Sequence, residues 1–161
     1  MKIHSFKPVL GERPRILILG SMPGPESLRT QQYYAHSRNT FWKLVHEILN
    51  ETLRDNYKDK LLLLKEHGIA LWDVLQHCER AGSLDKEIKN EYPNDFKAFH
   101  RNKPGIKAIF FNGQKAANSY ERYIGLGENG MKYHTLPSTS PAHAVEYKSK
   151  LKAWSLLKNY L

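Results

Sequence analysis

Arg15-Ile16-Leu17-Ile18-Leu19-Gly20-Ser21-Met22-Pro23-Gly24 runs from a β-rich apolar segment into a loop bracketed by glycines. Arg15 to Leu19 reads as a buried strand that ends at Gly20. Downstream, Asn39 to Leu49 carries Phe41, Leu44, Val45, Ile48 and Leu49 on one helical face. Tyr57 to His67 is a second helix, closed by Gly68 in the C′ position, and Ile69 to Leu71 follows as a short strand. Gln76 to Lys103 reads as polar and irregular, with a short helix around Asp95 to Phe99. Then come a strand at Ile106–Phe111, a helix at Gln114–Tyr123 and a final strand at Tyr133–Leu136. Ala144 to Leu161 is an amphipathic helix, with Tyr147, Leu151, Trp154, Leu157 and Leu161 on one face and Glu146, Lys148, Lys150 and Lys152 elsewhere.

Strands that alternate with helices predict an α/β domain with a parallel sheet of about four strands. No repeat, low-complexity tract or linker divides the chain, so residues 1–161 read as a single domain. The segments after the strands are chemically distinctive: GSMPG, WDVL, NGQ and LPSTSPAHA. In an open α/β sheet, ligands bind outside the carboxyl ends of the strands, so these loops are expected to build one site.

Composition narrows the chemistry. The chain has 161 residues, 40% hydrophobic and 25% charged, which is ordinary for a globular protein. Cys78 is the one cysteine, which excludes a disulfide framework and a cysteine-ligated cluster and favours a reducing compartment, the cytoplasm (nucleoid-associated in a prokaryote). No apolar run reaches the length of a membrane span, and the first residues are too polar for a signal-peptide core. The eight histidines show no metal-binding spacing, so neither a metal nor another cofactor is expected. Lys plus Arg exceed Asp plus Glu by 25 − 16 = 9. A net charge of that sign points to a polyanionic partner, most often nucleic acid, or to a chain that is merely basic.

Each loop has a functional and a plain reading. GSMPG is either a wall of a base or phosphate pocket or a strand-to-helix turn; it matches neither a dinucleotide fingerprint nor a P-loop. In Gln31-Gln32-Tyr33-Tyr34-Ala35-His36-Ser37-Arg38-Asn39, the tyrosines offer flat faces for a base, a contact worth roughly 1–3 kcal/mol. Asn39 is either a helix N-cap or an amide that orients water or binds a base edge. His36 is of secondary interest. Leu136-Pro137-Ser138-Thr139-Ser140-Pro141-Ala142-His143 is small, stiff and hydroxyl-rich: either a set of phosphate contacts or a proline-capped turn. The lysines that follow read first as a solvated face.

Taken in order, GSMPG with SLRTQQYYAHSRNTFW, LWDVL, FNGQKA and LPSTSPAHA resemble the uracil-DNA glycosylase superfamily over most of the chain. The resemblance is greatest to its hypoxanthine-DNA glycosylase (DNA-deoxyinosine glycosylase) branch. It implies a three-layer α/β/α sandwich around a mostly parallel four-stranded sheet. It also implies that the first block forms a base pocket and the last contacts the DNA backbone. Two positions depart from the uracil enzymes: Met22 stands where an Asp or Asn often activates water, and Leu136 where a His often stabilises the departing base. The hypoxanthine branch shares both departures, and its catalytic asparagine maps onto Asn39.

The resemblance further implies that Gly20, Ser21, Met22, Pro23 and Gly24 form the pocket wall and that Tyr34 stacks on a flipped base. Asn112 and Asp73 are candidates for its polar edge. Ser138, Thr139, Ser140, Pro141, Ala142, His143 and Lys148 are expected on the DNA. The expected partner is double-stranded DNA holding a deaminated base, the expected state a monomer. The expected reaction is hydrolysis by a monofunctional enzyme, since no lysine lies in the pocket motifs. A uracil or mismatch-specific glycosylase and a non-catalytic DNA-binding module are the alternatives.

Overall fold

Ile16, Leu17, Ile18 and Leu19 are all sealed from solvent, and they alternate between layers. Ile16 and Ile18 belong to one apolar cluster, Leu17 and Leu19 to another. A strand buried on both faces must lie inside a sheet covered on both sides, which is the habit of parallel sheets. In the computed structural model, which describes residues 1–127 and 130–161, the elements run as follows. Strand β1 (Lys2–His4) and strand β2 (Ile16–Gly20) precede helices α1 (Pro25–Thr30), α2 (Phe41–Ile48) and α3 (Tyr57–Glu66). Strands β3 (Ile69–Asp73), β4 (Leu75–Arg80) and β5 (Ile88–Pro93) lead to helix α4 (Phe96–Asn102). Strand β6 (Ala108–Asn112), helix α5 (Gln114–Tyr123), strand β7 (Lys132–Leu136) and helix α6 (Tyr147–Trp154) complete the chain, with a 3-10 extension at Ser155–Tyr160.

The central sheet has four strands, all parallel, in the order β3-β2-β6-β7. Side chains of α2, α3 and α6 cover one face: Phe41, Leu44, Leu64, Trp154 and Leu157 pack on Ile16, Ile18 and Phe110. Phe96, Phe99, Ala116 and Tyr120, from α4 and α5, cover the other with Cys78 and Ile88. The expected three-layer sandwich is present. No helix of the described residues is long and apolar enough to cross a membrane.

Several expectations are corrected in detail. The stretch read as irregular, Gln76 to Lys103, holds β4 and β5, which with β1 form a three-stranded antiparallel sheet in the order β1-β4-β5. Its pattern was unreadable because two register shifts interrupt the β4–β5 pairing, and each puts the period-2 alternation out of phase. Helix α1 was not foreseen; it has six residues and a Pro at its start. The last helix begins at Tyr147, not Ala144, and tightens into a 3-10 turn after Trp154. At three residues per turn, Trp154, Leu157 and Tyr160 line up on the side that packs against the sheet. Lys150, read as solvated, is buried at 4% exposure, because its ammonium reaches under the 137–143 loop to the Ser140 carbonyl at 3.3 Å. Gly68 closes α3 at φ +73, as expected for a left-handed C′ residue.

Candidate active site

The carboxyl ends of β2, β3, β6 and β7 open into a cleft of about 800 Å³. Its lining includes Gly20 to Gly24, Tyr34, Asn39, Asp73, Asn112 and Ser138 to His143, so the loops picked from the sequence do converge. Lys148 does not line it; it lies exposed on α6.

Parallel pairing sets the floor. Gly20 pairs with Asp73 across β2 and β3, and Asn112 ends β6 on the other side of β2. Gly20 has no Cβ, and that is what the floor requires: a Cβ there would stand 2.7 Å from Asp73 Oδ1 and 2.9 Å from the Tyr34 hydroxyl. Asp73 closes its strand, is only 3% exposed, and caps no helix. Neither of its carboxyl oxygens takes a protein hydrogen bond among the described residues, and Oδ2 is fully enclosed. Burial, with a smaller push from the Asp85 carboxylate, raises its pKa from 3.8 to about 7.

Tyr34 sits at φ 55, a left-handed conformation that costs a tyrosine on the order of 1–3 kcal/mol. The surrounding turn is braced to hold it. The Tyr33 amide donates to the Tyr57 hydroxyl at 3.0 Å, Trp42 Nε1 donates to the Tyr33 carbonyl at 2.9 Å, and the Ala35 amide donates to Ser27 Oγ at 3.1 Å. Phe41 stacks on one face of the Tyr34 ring at 4.2 Å, so a base can stack only on the other. The Tyr34 hydroxyl is enclosed, with no hydrogen bond of normal geometry although the Asn112 amide faces it, and burial raises its pKa further above the usual tyrosine value.

Asn39 holds its two amide ends differently. Its Oδ1 accepts from the Phe41 amide at 2.9 Å in a turn just ahead of α2, whose N-cap is Thr40 and not Asn39, while its Nδ2 donates to no protein group among the described residues. That turn fixes the side chain and leaves its NH₂ for the cleft. His36 is exposed at the rim and accepts from the Arg38 amide on Nδ1 at 3.1 Å.

Asn112 is fastened on both sides. Its Oδ1 accepts from the Thr139 amide at 2.9 Å and its Nδ2 donates to Thr139 Oγ1 at 3.0 Å. The Thr40 amide donates to the Thr139 carbonyl at 3.1 Å, and Trp154 Nε1 donates to the Pro137 carbonyl at 2.8 Å. Ser138 Oγ and Ser140 Oγ each accept from an amide two residues on. The Ser138–His143 loop is thus a rigid ridge along the cleft. Lys150 lies beneath it with a carbonyl, not a carboxylate, as its partner.

Met22 and Leu136 are both buried, Met22 in the cluster with Leu19 and Leu136 in the cluster with Phe41. Neither position offers polar chemistry. Residues that the sequence did not flag close the remaining side, from the β4–β5 connection. Arg80 is buried and donates to the Pro23 and Gly82 carbonyls, each at 2.8 Å. Ser21 Oγ donates to Asp85 Oδ1 at 2.8 Å. Those residues carried no sequence signal, because only the antiparallel pairing of β4 and β5 brings them to the cleft. No cluster of three or more His, Cys, Asp or Glu side chains suited to a metal occurs among the described residues.

Comparison with known proteins agrees with this geometry. The family model described as the uracil DNA glycosylase superfamily matches residues 8–160. The chain is 40% identical to a hypoxanthine DNA glycosylase of Methanosarcina barkeri, covering 96% of this chain and 97% of that protein. It is 43% identical to a hypoxanthine DNA glycosylase of Methanosarcina acetivorans, covering 94% of each. A solution NMR structure from Methanosarcina acetivorans, of a protein assigned as a uracil DNA glycosylase, superposes with a TM-score of 0.85 at 39% identity, covering 98% of this chain and 96% of that one. With a matching family model over nearly the whole length, and with relatives at this identity, the chain belongs to the uracil DNA glycosylase superfamily.

Proposed function

We propose that this chain is a DNA repair glycosylase that flips a deaminated base, chiefly hypoxanthine, out of double-stranded DNA and hydrolyses its N-glycosidic bond, leaving an abasic site. The observation that carries this reading is the Asn39 NH₂, held by its hydrogen-bonded carbonyl and free in the cleft, where Met22 and Leu136 are buried and apolar. The names of the Methanosarcina relatives agree with that choice of base.

In this mechanism the flipped base lies against the free face of Tyr34 and the wall from Gly20 to Gly24. Extrusion from the stack is required because the bond is out of reach inside a duplex. Breaking the bond develops positive charge on the sugar and negative charge on the base. Asn39 orients the attacking water or hydrogen-bonds the departing base, and preorganised donors of this kind stabilise such charge without reorganising. Asp73 and Asn112 contribute to the polar edge. Hypoxanthine, xanthine and uracil each present a carbonyl beside a ring N–H, whereas adenine reverses the pattern and leaves site groups unpaired. The Ser138–His143 ridge grips the DNA backbone through hydroxyls and amides. Lys148, Arg38 and Lys86 add attraction that salt weakens. A monofunctional, hydrolytic course is supported by the absence of lysine from GSMPG, Tyr33–Asn39 and Ser138–His143. One domain over residues 1–161, acting as a monomer in the cytoplasm, completes the proposal.

The test is alkaline cleavage of duplexes carrying a single inosine, uracil or xanthine after incubation with the protein. Inosine is expected to give the fastest strand scission. If inosine yields no abasic product, the proposal fails, and faster release of uracil moves the enzyme to the uracil class. Asn39→Ala is expected to bind the inosine duplex as tightly as the native protein while base release falls about a hundredfold or more, as for loss of a single preorganised donor. Unchanged release by that variant removes Asn39 from the chemistry.

A further inference from the structure

Two buried polar side chains meet at the floor of the cleft, and both crowd the same glycine. The ideal Cβ of Gly20 lies 2.7 Å from Asp73 Oδ1 and 2.9 Å from the Tyr34 hydroxyl, so the two groups converge over one spot at the end of β2. Asp73 Oδ2 and the Tyr34 hydroxyl are both enclosed without a hydrogen bond. A buried, unsatisfied polar atom costs about 1–3 kcal/mol, and a carboxyl more, so a site that keeps two of them side by side is built for something that arrives later.

A protonated carboxyl is a donor, and the major-groove edge of a purine offers it N7 as an acceptor. Adenine and guanine share N7, so this contact selects purines over uracil and leaves the groups at positions 2 and 6 to be read elsewhere. Met22 and Leu136 supply no acid for the departing base, and the two motif histidines that line the cleft, His36 and His143, lie exposed at its rim, away from the buried floor.

We propose that Asp73 is a catalytic acid: its carboxyl group binds N7 of the flipped 6-oxopurine and protonates it as the C1′–N9 bond breaks. The electron pair of that bond goes to the base. The Asp73 proton forms the new N7–H bond, so the base leaves as a neutral tautomer. Water adds to C1′ and releases a proton to solvent, and the Asp73 carboxylate regains one. No oxidant, metal or further reactant is involved. The proposal rests on the base pocket described above.

The groups around Asp73 agree with its serving as the acid. Tyr33 and Tyr34 from the turn before α2 and Tyr57 from α3 all feel its charge, and Asp85 from the β4–β5 connection opposes its ionisation. Arg80, the nearest buried cation of β4, is turned to the Pro23 and Gly82 carbonyls instead. A carboxyl raised to about 7 is still protonated in neutral solution often enough to act as an acid.

The experiment is single-turnover base release by the full chain from duplexes containing deoxyinosine or 7-deaza-deoxyinosine, with native protein and Asp73→Asn, from about pH 5 to about pH 9. Native protein is expected to release hypoxanthine at a rate that falls about tenfold per pH unit above about pH 7, and Asp73→Asn to lose that limb. On deoxyinosine, the substitution is expected to cost about a hundredfold to ten-thousandfold, the range of general acid catalysis. The 7-deaza substrate is expected to be released far more slowly by native protein, and Asp73→Asn to slow it no further, because the contact is already gone. Equal losses from the substitution on both substrates overturn the N7 assignment, as does native protein that releases the 7-deaza base as fast as hypoxanthine. That last comparison needs no variant, so it stands even if Asp73→Asn folds poorly. Native protein that releases no hypoxanthine instead overturns the pocket reading itself.

Discussion

Asp73 and Asn112 occupy matching places on either side of β2, at the ends of β3 and β6. Both are polar, both are buried, and both line the cleft. Asn112 is bonded on each end to Thr139, and through it the ridge of residues 138–143 is locked to the sheet. Asp73 has no hydrogen bond on its carboxyl group among the described residues. The difference separates two uses of a buried polar group. A satisfied one fixes geometry, and an unsatisfied one keeps a cost in the empty protein that a ligand can relieve.

This contrast can be broken by substitution. Its largest expected consequence is the loss of base release in Asp73→Asn described above. Next is Gly20→Ala, whose methyl group would push on both Asp73 and Tyr34 at under 3 Å. Overpacking of that kind costs about 1–3 kcal/mol, and displacing Asp73 and Tyr34 is expected to slow release about a hundredfold in the single-turnover assay. Gly24→Ala is the control: nothing lies within 4 Å of a Cβ there, so its melting temperature is expected to match the native protein's.

Asn112→Ala should show the opposite signature. It strips the Thr139 amide of its acceptor, which is expected to cost about 1–3 kcal/mol. Thermal unfolding should register roughly 2–4 °C per kcal/mol for a chain of this size. A variant with native stability would remove Asn112 from the scaffold.

Stability also depends on pH. The folded Asp73 has a pKa of about 7 against 3.8 when free, so folding favours its protonated form. Its contribution is therefore best at acid pH, declines as pH rises from about 4 to about 7, and reaches its full cost above that. Asp73→Asn has no such slope. Its melting temperature should exceed the native value by more at alkaline pH than at acid pH, and a constant difference would show that the carboxyl does not titrate in this range.

The fold was legible in the sequence wherever local pattern carried it. Ile16 to Leu19 announced a buried strand, Gly68 a helix end, and the peculiar loops after each strand a shared site, because a parallel sheet always delivers those loops to one edge. Asn39 and Tyr34 came from a resemblance that rests on contiguous residues. The Arg80 and Asp85 contacts left no mark, since β4 and β5 pair with shifted register and only that pairing carries them to the cleft. Lys150 misled for a similar reason: helical spacing gives its face, not the loop that folds over it.

Sequence alone thus determined the alternation of strands and helices around a parallel sheet and the edge of that sheet where the site lies; the three layers came from the family resemblance. The first two follow from periodicity and from residue types a few positions apart. Tertiary structure decided what each polar group in the cleft is free to do. Asn112 and Asp73 look alike as residues that end a strand, and only the hydrogen bonds from Thr139 to one, and their absence at the other among the described residues, tell the two apart. Hydrogen-bond satisfaction is a property of distant neighbours, 27 residues away for Asn112, and no local pattern records it.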